Sequence, residues 1–270
     1  MKLGISSYTF AWAIGFPGAV PARPVTAMQL LEKAQELGVS MVQFGPNLPL
    51  DQLPEKDQRE VRKRANDWKI DLEMGTRGLE TKHLRQQIEF AKRMGAILLK
   101  TTTISSHGKV PSRLEMASHL RALTDDLARG EIRLAIDNSH IPAQELNELL
   151  NPISNPWLGV ALDTLNPLAI TQDWHVAVRV LAQRTLSLQV KDFVVERAWH
   201  GMGFTVEGRP PGKGQLNIPW IVESFAALRI APSTILESWT PEQKSLEETI
   251  ALEAAWVKQG VDYMRRFIVY

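Results

Sequence analysis

Residues 132–137 read Ile-Arg-Leu-Ala-Ile-Asp and residues 158–163 read Leu-Gly-Val-Ala-Leu-Asp, so two short, mainly apolar runs each end in an aspartate. A third apolar run, Ile235-Leu236, leads into Glu237 in the same way. Runs of this kind are typical of strands buried in a parallel sheet. Because an unpaired buried charge is costly, acids at the ends of buried strands usually serve a metal ion or proton transfer. The pattern therefore indicates an enzyme.

The fold follows from how often such runs recur. Eight of them alternate with amphipathic stretches along the chain, at residues 2–7, 39–44, 70–75, 96–101, 132–137, 158–163, 186–191 and 234–239. Glycine stop signals at Gly38 and Gly95 are typical of helix ends between the strands. The repeat predicts one (β/α)8 TIM barrel domain over residues 1–270. A doubly wound open sheet is the alternative, but the turn after its first strand is often glycine-rich, whereas here that turn reads Ser6-Ser7-Tyr8-Thr9.

The composition of the chain argues against several classes of function. The net charge of +1 provides no basic field for nucleic acid, and the absence of cysteine excludes disulfides and thiolate metal sites. No apolar run approaches the ~18 residues of a membrane span, so we expect no membrane partner. The apolar residues 11–20 are interrupted by Gly15, Pro17 and Gly18, which argues against a signal peptide. We therefore expect a cytoplasmic protein.

Strand parity predicts which polar side chains converge. Residues two apart on a strand share a face, and a barrel of this kind carries its chemistry at the carboxyl ends of its strands. Asp137, Asp163 and Gln189 are spaced by 26 residues, and Glu237 ends the eighth run. Counting back two residues from each candidate gives small or apolar residues, as an inner barrel layer requires: Ala135, Ala161, Ser187 and Ile235. The four candidates should therefore face one volume.

Three carboxylates in one dry volume repel each other, so a positive charge should lie between them. A divalent cation held by Asp137, Asp163, Gln189 and Glu237 is the preferred hypothesis, and the all-oxygen ligand set favours Mn or Mg over Zn. Lys191, on the same face as Gln189, is the alternative source of positive charge. A further alternative is that Asp137 and Asp163 only cap the helices that follow them.

The strand-end motifs resemble those of the xylose isomerase-like barrel family, which holds sugar isomerases, epimerases and the endonuclease IV group. The resembling motifs are Asp137-Asn138-Ser139-His140, Asp163-Thr164-Leu165-Asn166, Gln189-Val190-Lys191-Asp192, Glu237 and Gly212-Lys213-Gly214. The resemblance implies a metal at the four predicted ligands and proton transfer by Asp137 and Glu237, with Lys191 as a third catalytic candidate. Two positions depart from the family pattern: Asp137 replaces a glutamate, and Gln189 replaces a histidine. Both departures should weaken metal binding or alter the base.

The segment 191–210 is similar to a narrower branch of that family, the 3-oxo-isoapionate decarboxylase-like branch, which acts on small branched or oxidised sugar acids. The resemblance implies a metal-dependent enzyme that forms an enediolate or enolate from a small sugar or sugar-acid carbonyl compound. Isomerisation or epimerisation is the first hypothesis, and decarboxylation of a 3-oxo sugar acid is the second. Substrate contacts are expected from His140, His200, Arg209 and Trp12, in part because residues 10–23 and 193–215 form long loops.

Two other classes of protein remain as alternatives. Gln189 and Asp137 are also consistent with a sugar-binding barrel that has lost catalysis. A DNA repair nuclease would need several histidines at successive strand ends and a basic groove, and neither is present in the sequence. The expected partner is therefore a small-molecule sugar or sugar acid, within a possible homo-oligomer.

Overall fold

The barrel predicted from the repeat is confirmed. A computed structural model describes residues 1–153 and 155–268. Eight parallel strands close into a barrel in the spatial order β1-β10-β7-β6-β5-β4-β3-β2. These strands are β1 (Lys2–Ser6), β2 (Met41–Phe44), β3 (Asp71–Arg77), β4 (Ala96–Thr102), β5 (Arg133–Asp137), β6 (Leu158–Asp163), β7 (Thr185–Val190) and β10 (Ser233–Leu236). The strands are the most apolar part of the chain because both of their faces are covered.

Helices flank the barrel. They are α1 (Ala11–Ile14), α2 (Ala27–Glu36), α3 (Glu55–Asp67), α4 (Thr81–Met94), α5 (Arg113–Arg121), α6 (Thr124–Gly130), α7 (Ala143–Leu150), α8 (Asn166–Ala169), α9 (Trp174–Leu181), α10 (Ile218–Ala227) and α11 (Leu246–Met264). Helix α9 begins after Asp173, which caps it by accepting a hydrogen bond from the His175 N–H. No helix in the described parts of the chain is long and apolar enough to span a bilayer.

The predicted loop 193–215 is largely a β-hairpin. Strands β8 (Asp192–Arg197) and β9 (Phe204–Arg209) form a separate antiparallel sheet. Asp192 stabilises the base of the hairpin, because the Asp192 carboxylate accepts hydrogen bonds from the backbone N–H groups of Gly212 and Gly214 at 2.9 and 3.0 Å. The alternation Phe-Thr-Val-Glu over 204–207 is a strand signal. The residues at the hairpin tip, among them Trp199 and Met202, are exposed.

The barrel interior confirms the parity argument. Ala135, Ala161 and Leu98 form a small buried cluster inside the barrel, and Ser187 and Ile235 are fully buried as well. Small side chains at this level leave room above them for the longer polar groups at the strand ends. The inner layer thus positions the site.

A buried acid holds the segment after β1. Glu253 of α11 is 1% exposed and accepts hydrogen bonds from the backbone N–H groups of Trp12 and Ala13 at 2.9 and 3.1 Å. Burial raises the pKa of Glu253 to about 7, against the partial compensation of those two hydrogen bonds. The carboxylate therefore caps the first turn of α1 but loses water in doing so.

We expect this acid to make stability depend on pH. Because its folded-state pKa lies above the usual 4.5, the native state binds more protons than the unfolded state between about pH 4.5 and 7. The free energy of unfolding should therefore fall as the pH rises through that window, by at most about 3 kcal/mol. Urea unfolding of the wild type and Glu253→Gln, which cannot ionise, tests this. Equal pH slopes in the two proteins would contradict it.

Candidate active site

A cavity of about 250 Å³ opens at the carboxyl ends of the barrel strands. Most of the residues that line it have polar side chains; the lining residues are Tyr8, Pro46, Thr76, Arg77, Lys100, Thr102, Ile104, Ser105, Asp137, Ser139, His140, Asp163, Asn166, Lys191 and Glu237. The cavity lies where barrel enzymes carry their chemistry. Five of these residues, Lys100, Asp137, Asp163, Lys191 and Glu237, form what we call the carboxylate–lysine cluster.

Lys191 joins the acids of two strands. Its Nζ lies 2.7 Å from Asp163 Oδ2 and 2.8 Å from Glu237 Oε2. The second oxygen of Glu237 accepts a hydrogen bond from Ser6 Oγ at 3.1 Å. Burial alone would lower the pKa of Lys191, but the two carboxylates outweigh burial and raise that pKa. Burial likewise opposes ionisation of Glu237, yet the ammonium holds the pKa of Glu237 below its usual value.

Lys100 forms the second half of the cluster. Its Nζ lies 2.9 Å from Asp137 Oδ2 and donates a hydrogen bond to Gln189 Oε1 at 2.7 Å. Asn166 donates to the other carboxylate oxygen of Asp137 at 3.0 Å. Burial opposes charge on both partners, but their attraction prevails, so the pKa of Lys100 is raised and the pKa of Asp137 is lowered. Lys100 was not singled out from the sequence, although it lies two residues after the inward-facing Leu98.

Asp163 serves two purposes. Its Oδ1 accepts hydrogen bonds from the backbone N–H groups of Leu165 and Asn166 at 2.7 and 3.0 Å, as a capping residue does. Its Oδ2 is buried and forms an ion pair with the Lys191 ammonium at 2.7 Å. The geometry therefore supports the capping interpretation of this aspartate, and its functional role stays a prediction.

Gln189 lies beneath the cavity rather than on its wall. Its side chain is fully buried, and its amide nitrogen donates to Gln43 Oε1 at 2.9 Å. Gln43 donates in turn to Glu73 Oε2 at 2.8 Å. Of the predicted metal ligands, Asp137, Asp163 and Glu237 line the cavity, and Gln189 reaches it through Lys100.

The four predicted substrate contacts separate into two groups. His140 lines the cavity. Trp12, His200 and Arg209 do not appear in its lining, because their own elements hold them elsewhere. Trp12 donates its indole N–H to the Thr240 carbonyl oxygen at 2.9 Å, and the hairpin carries His200 at its exposed tip and Arg209 near its base, paired with Glu207 at 3.0 Å. The structure thus places those three residues outside the cavity lining, and their contact with a substrate stays a prediction.

Arg77, at the end of β3, was missed because strand three ends without an acid. It lines the cavity and is exposed. Lys100 and Lys191 line it too, but both are paired with acids. Within residues 1–153 and 155–268, Arg77 is the one lysine or arginine of the cavity wall without a carboxylate partner. It is therefore free to bind an anion.

The residue types of the cluster suit a hard divalent ion, because Asp137, Asp163, Gln189 and Glu237 all offer oxygen atoms. Asp163 Oδ2 in addition has the Lys191 ammonium as its one partner among the described residues. Ammonium groups lie between these oxygens, and the described residues contain no group of three or more His, Cys, Asp or Glu side chains placed to hold a metal ion. Such an ion would thus have to displace an ammonium group.

The protonation of the lysines limits the chemistry. Schiff-base formation needs a neutral amine, and the raised pKa values of Lys100 and Lys191 favour the ammonium form. Ammonium groups in a partly dry cavity can instead stabilise negative charge that develops on a carbonyl oxygen. The cluster is therefore suited to reactions that pass through an enolate or enediolate.

Comparison with known proteins identifies the family. The family model described as xylose isomerase-like TIM barrel matches residues 27–267, so the chain belongs to the xylose isomerase-like TIM barrel family. A curated relative, 3-oxo-isoapionate decarboxylase of Pectobacterium atrosepticum, is 29% identical over 265 residues, which cover 98% of this chain and 95% of that protein. This relative supports an enzyme.

Solved structures agree on the fold. D-psicose 3-epimerase of Clostridium cellulolyticum H10 with D-tagatose superposes with a TM-score of 0.75 at 13% identity, over 99% of each chain. A xylose isomerase-like barrel of Mycobacterium smegmatis in complex with magnesium gives a TM-score of 0.71 at 14% identity, over 97% of each chain. At such low identity these two likenesses show the barrel fold alone.

Proposed function

We propose that the protein is a decarboxylase of a small 3-oxo sugar acid. The observation that carries the proposal is the cavity's arrangement of charge: an acid-and-lysine floor, and Arg77 free at its mouth. A 3-oxo acid needs both parts, one for its carbonyl oxygen and one for its carboxylate. The curated decarboxylase relative, similar over nearly the whole chain, supports this choice over isomerisation or epimerisation.

The chemical step needs an electron sink more than a base. The bond between the carboxylate carbon and C2 breaks, and its electron pair moves into an enolate whose negative charge rests on the C3 oxygen. Carbon dioxide leaves, and C2 then takes one proton. We assign stabilisation of the enolate oxygen to Lys191 and donation of the proton to Lys100, which Asp137 holds in its ammonium form. Replacement of the family glutamate by Asp137 is tolerable, because no C–H proton has to be removed.

We also propose a divalent ion, Mn or Mg rather than Zn, held by Asp137, Asp163, Glu237 and the Gln189 amide oxygen. When bound, it would supply Lewis-acid stabilisation of the enolate. The charge of the cluster supports this proposal. Three carboxylates and two ammonium groups leave one net negative charge on the cavity floor, which disfavours an anionic substrate unless a cation is added.

Isomerisation or epimerisation of an uncharged ketose is the second candidate. The observation that favours it is the pair of carboxylates on separate walls of the cavity, Asp137 and Glu237, since moving a proton requires an acid and a base. The two candidates differ in their product. Decarboxylation releases one equivalent of carbon dioxide from a 3-oxo sugar acid, whereas epimerisation of a ketose releases none and exchanges a C–H hydrogen with solvent.

To test the proposal, purified protein is incubated with a panel of 3-oxo sugar acids and ketoses, with and without Mn²⁺. Carbon dioxide release and the uptake of deuterium from the solvent are measured. Release of carbon dioxide that depends on enzyme and on the cluster supports the proposal. Deuterium uptake by ketoses without carbon dioxide from any acid would replace it with the second candidate. Metal content by mass spectrometry is measured on the same samples, and no binding of supplied Mn²⁺ or Mg²⁺ would remove the metal from the proposal.

Arg77 provides the matching prediction. We expect Arg77→Leu to raise KM for the 3-oxo acid about 10- to 100-fold, the equivalent of one charge-assisted hydrogen-bonded contact, with a smaller change in kcat. Arg209→Leu is the control, because that arginine is bound to Glu207 on the hairpin. A KM that changes equally in both variants would remove Arg77 from the substrate contact.

A further inference from the structure

A chain of buried side chains crosses the barrel interior beneath the cluster. Ser187 and Gln189 of β7 face Gln43 of β2 and Glu73 of β3, and all four are at most 1% exposed. Strand β7 lies across the barrel from β2 and β3. Hydrogen bonds connect Gln189 to Gln43 and Gln43 to Glu73, and Ser187 Oγ donates to Glu73 Oε2 at 3.2 Å.

The groups at the two ends of this series of hydrogen-bonded side chains determine which atom donates and which accepts at each step. An ammonium group can only donate, so Lys100 requires the carbonyl oxygen of Gln189, which lies 2.7 Å from Nζ. The Gln189 amide nitrogen is then turned toward Gln43 Oε1, and the Gln43 nitrogen toward Glu73. An ionised carboxylate can only accept, and a neutral one still accepts through its carbonyl oxygen, so Glu73 fits as the last acceptor of the chain.

The environment of Glu73 is unfavourable for a residue that serves only to stabilise the fold. Burial raises its pKa, although hydrogen bonds from serine and Gln43 side chains oppose the shift. Its buried Oε1 has no hydrogen bond of good geometry among the described residues, and a buried polar atom in this state requires an explanation.

We propose that Glu73 and Gln43 are positioning residues, which lock the Gln189 amide so that its carbonyl oxygen faces the cation of the active site. In this structure that cation is the Lys100 ammonium. The locking requires only the buried hydrogen bonds, whereas its effect on turnover rests on the proposed function. An amide at this position needs such a lock because either the oxygen or the nitrogen of its terminal group can face the cavity.

The first experiment measures the lock without substrate or metal. In protein labelled with 15N at glutamine, we expect the Gln189 side-chain amide, assigned by its loss in Gln189→His, to exchange with solvent slowly. Gln43→Leu should accelerate that exchange at least tenfold. Ser187→Ala is the matched control, because it removes one hydrogen bond to Glu73 but leaves Gln43 and Gln189 paired. Equal exchange in Gln43→Leu and Ser187→Ala, with folding verified by circular dichroism, would overturn the proposal.

The second experiment is a double-mutant cycle on turnover. Loss of an outer partner of a ligating side chain typically costs 10- to 100-fold, so we expect Gln43→Leu to reduce kcat/KM by that factor. In the Gln189→Leu background, where no amide is left to orient, the same substitution should have little effect. Equal losses in both backgrounds would make Gln43 merely structural. If no substrate is turned over by the wild type, the proposed function fails while the exchange experiment still decides the lock.

Discussion

Lys191→Met is expected to unfold more easily than the wild type and to lose most activity. Removing the ammonium leaves Asp163 and Glu237 facing one another, both nearly inaccessible to solvent, without the charge that now lies within 2.8 Å of each. Breaking a buried ion pair from one side typically costs about 3–5 kcal/mol. Because Lys191 is itself 20% exposed, we expect the lower end, about 3 kcal/mol. Loss of a donor to the enolate oxygen should reduce kcat about 10²- to 10³-fold.

The measurement is urea unfolding in the presence of chelator, followed by the same experiment with Mn²⁺. A divalent ion should replace the missing charge, so Mn²⁺ should stabilise Lys191→Met more than it stabilises the wild type. Lys213→Met, which alters an exposed lysine outside the cavity, is the control. A Lys191→Met protein as stable as the control in chelator would mean that the carboxylates do not depend on this ammonium.

Substitution of Asp163 should separate capping from chemistry. Asp163→Asn keeps an oxygen that can accept from the N–H groups of Leu165 and Asn166, but it removes the charge that faces Lys191. Asp163→Ala removes both. We expect both variants to lose bound Mn²⁺ and about 10²- to 10³-fold in kcat. Only the alanine variant should lose about another 1 kcal/mol of stability from the missing cap.

Metal content by mass spectrometry and urea unfolding of the two variants decide the matter. Asp192→Asn is a useful comparison, since that aspartate accepts similar backbone hydrogen bonds outside the cavity. If Asp163→Asn kept its metal and its turnover, this aspartate would be only a cap, and the functional interpretation of the strand-six motif would be wrong.

The sequence predicted the barrel and its acids for the same physical reason. Strand parity is local, so an apolar run that ends in Asp137 or Asp163 determines both the strand and the direction of its last side chain. The resemblance to the family was confirmed by the family model, and decarboxylation remains a proposal. The metal ligands, which no observation tests, stay predictions.

Contacts between residues that are far apart in the sequence could not be predicted from local patterns. Lys100 is separated from its hydrogen-bond partner Gln189 by 89 residues. Nothing in the sequence of strand four indicates that Lys100 pairs with Asp137. The hairpin was taken for a loop because its alternation is short, so the positions of His200 and Arg209 outside the cavity lining were not predicted. The hydrogen bond from the Trp12 indole to the Thr240 carbonyl oxygen was not predictable either, because it joins distant parts of the chain.

The polar chain across the barrel interior also bears on how the protein folds. Gln43 and Gln189 are 146 residues apart, and Ser187 and Glu73 are 114 apart, so neither contact forms before β7 has joined the sheet. An unfinished barrel that contains only β1 to β6 would have to leave Gln43 and Glu73 in water or bury them without these partners. Collapse of these six strands alone is therefore penalised, because loop closure has to precede the contacts that reward it. The same side chains that orient an amide in the finished enzyme thus favour cooperative closure of the whole barrel over a stable six-stranded intermediate.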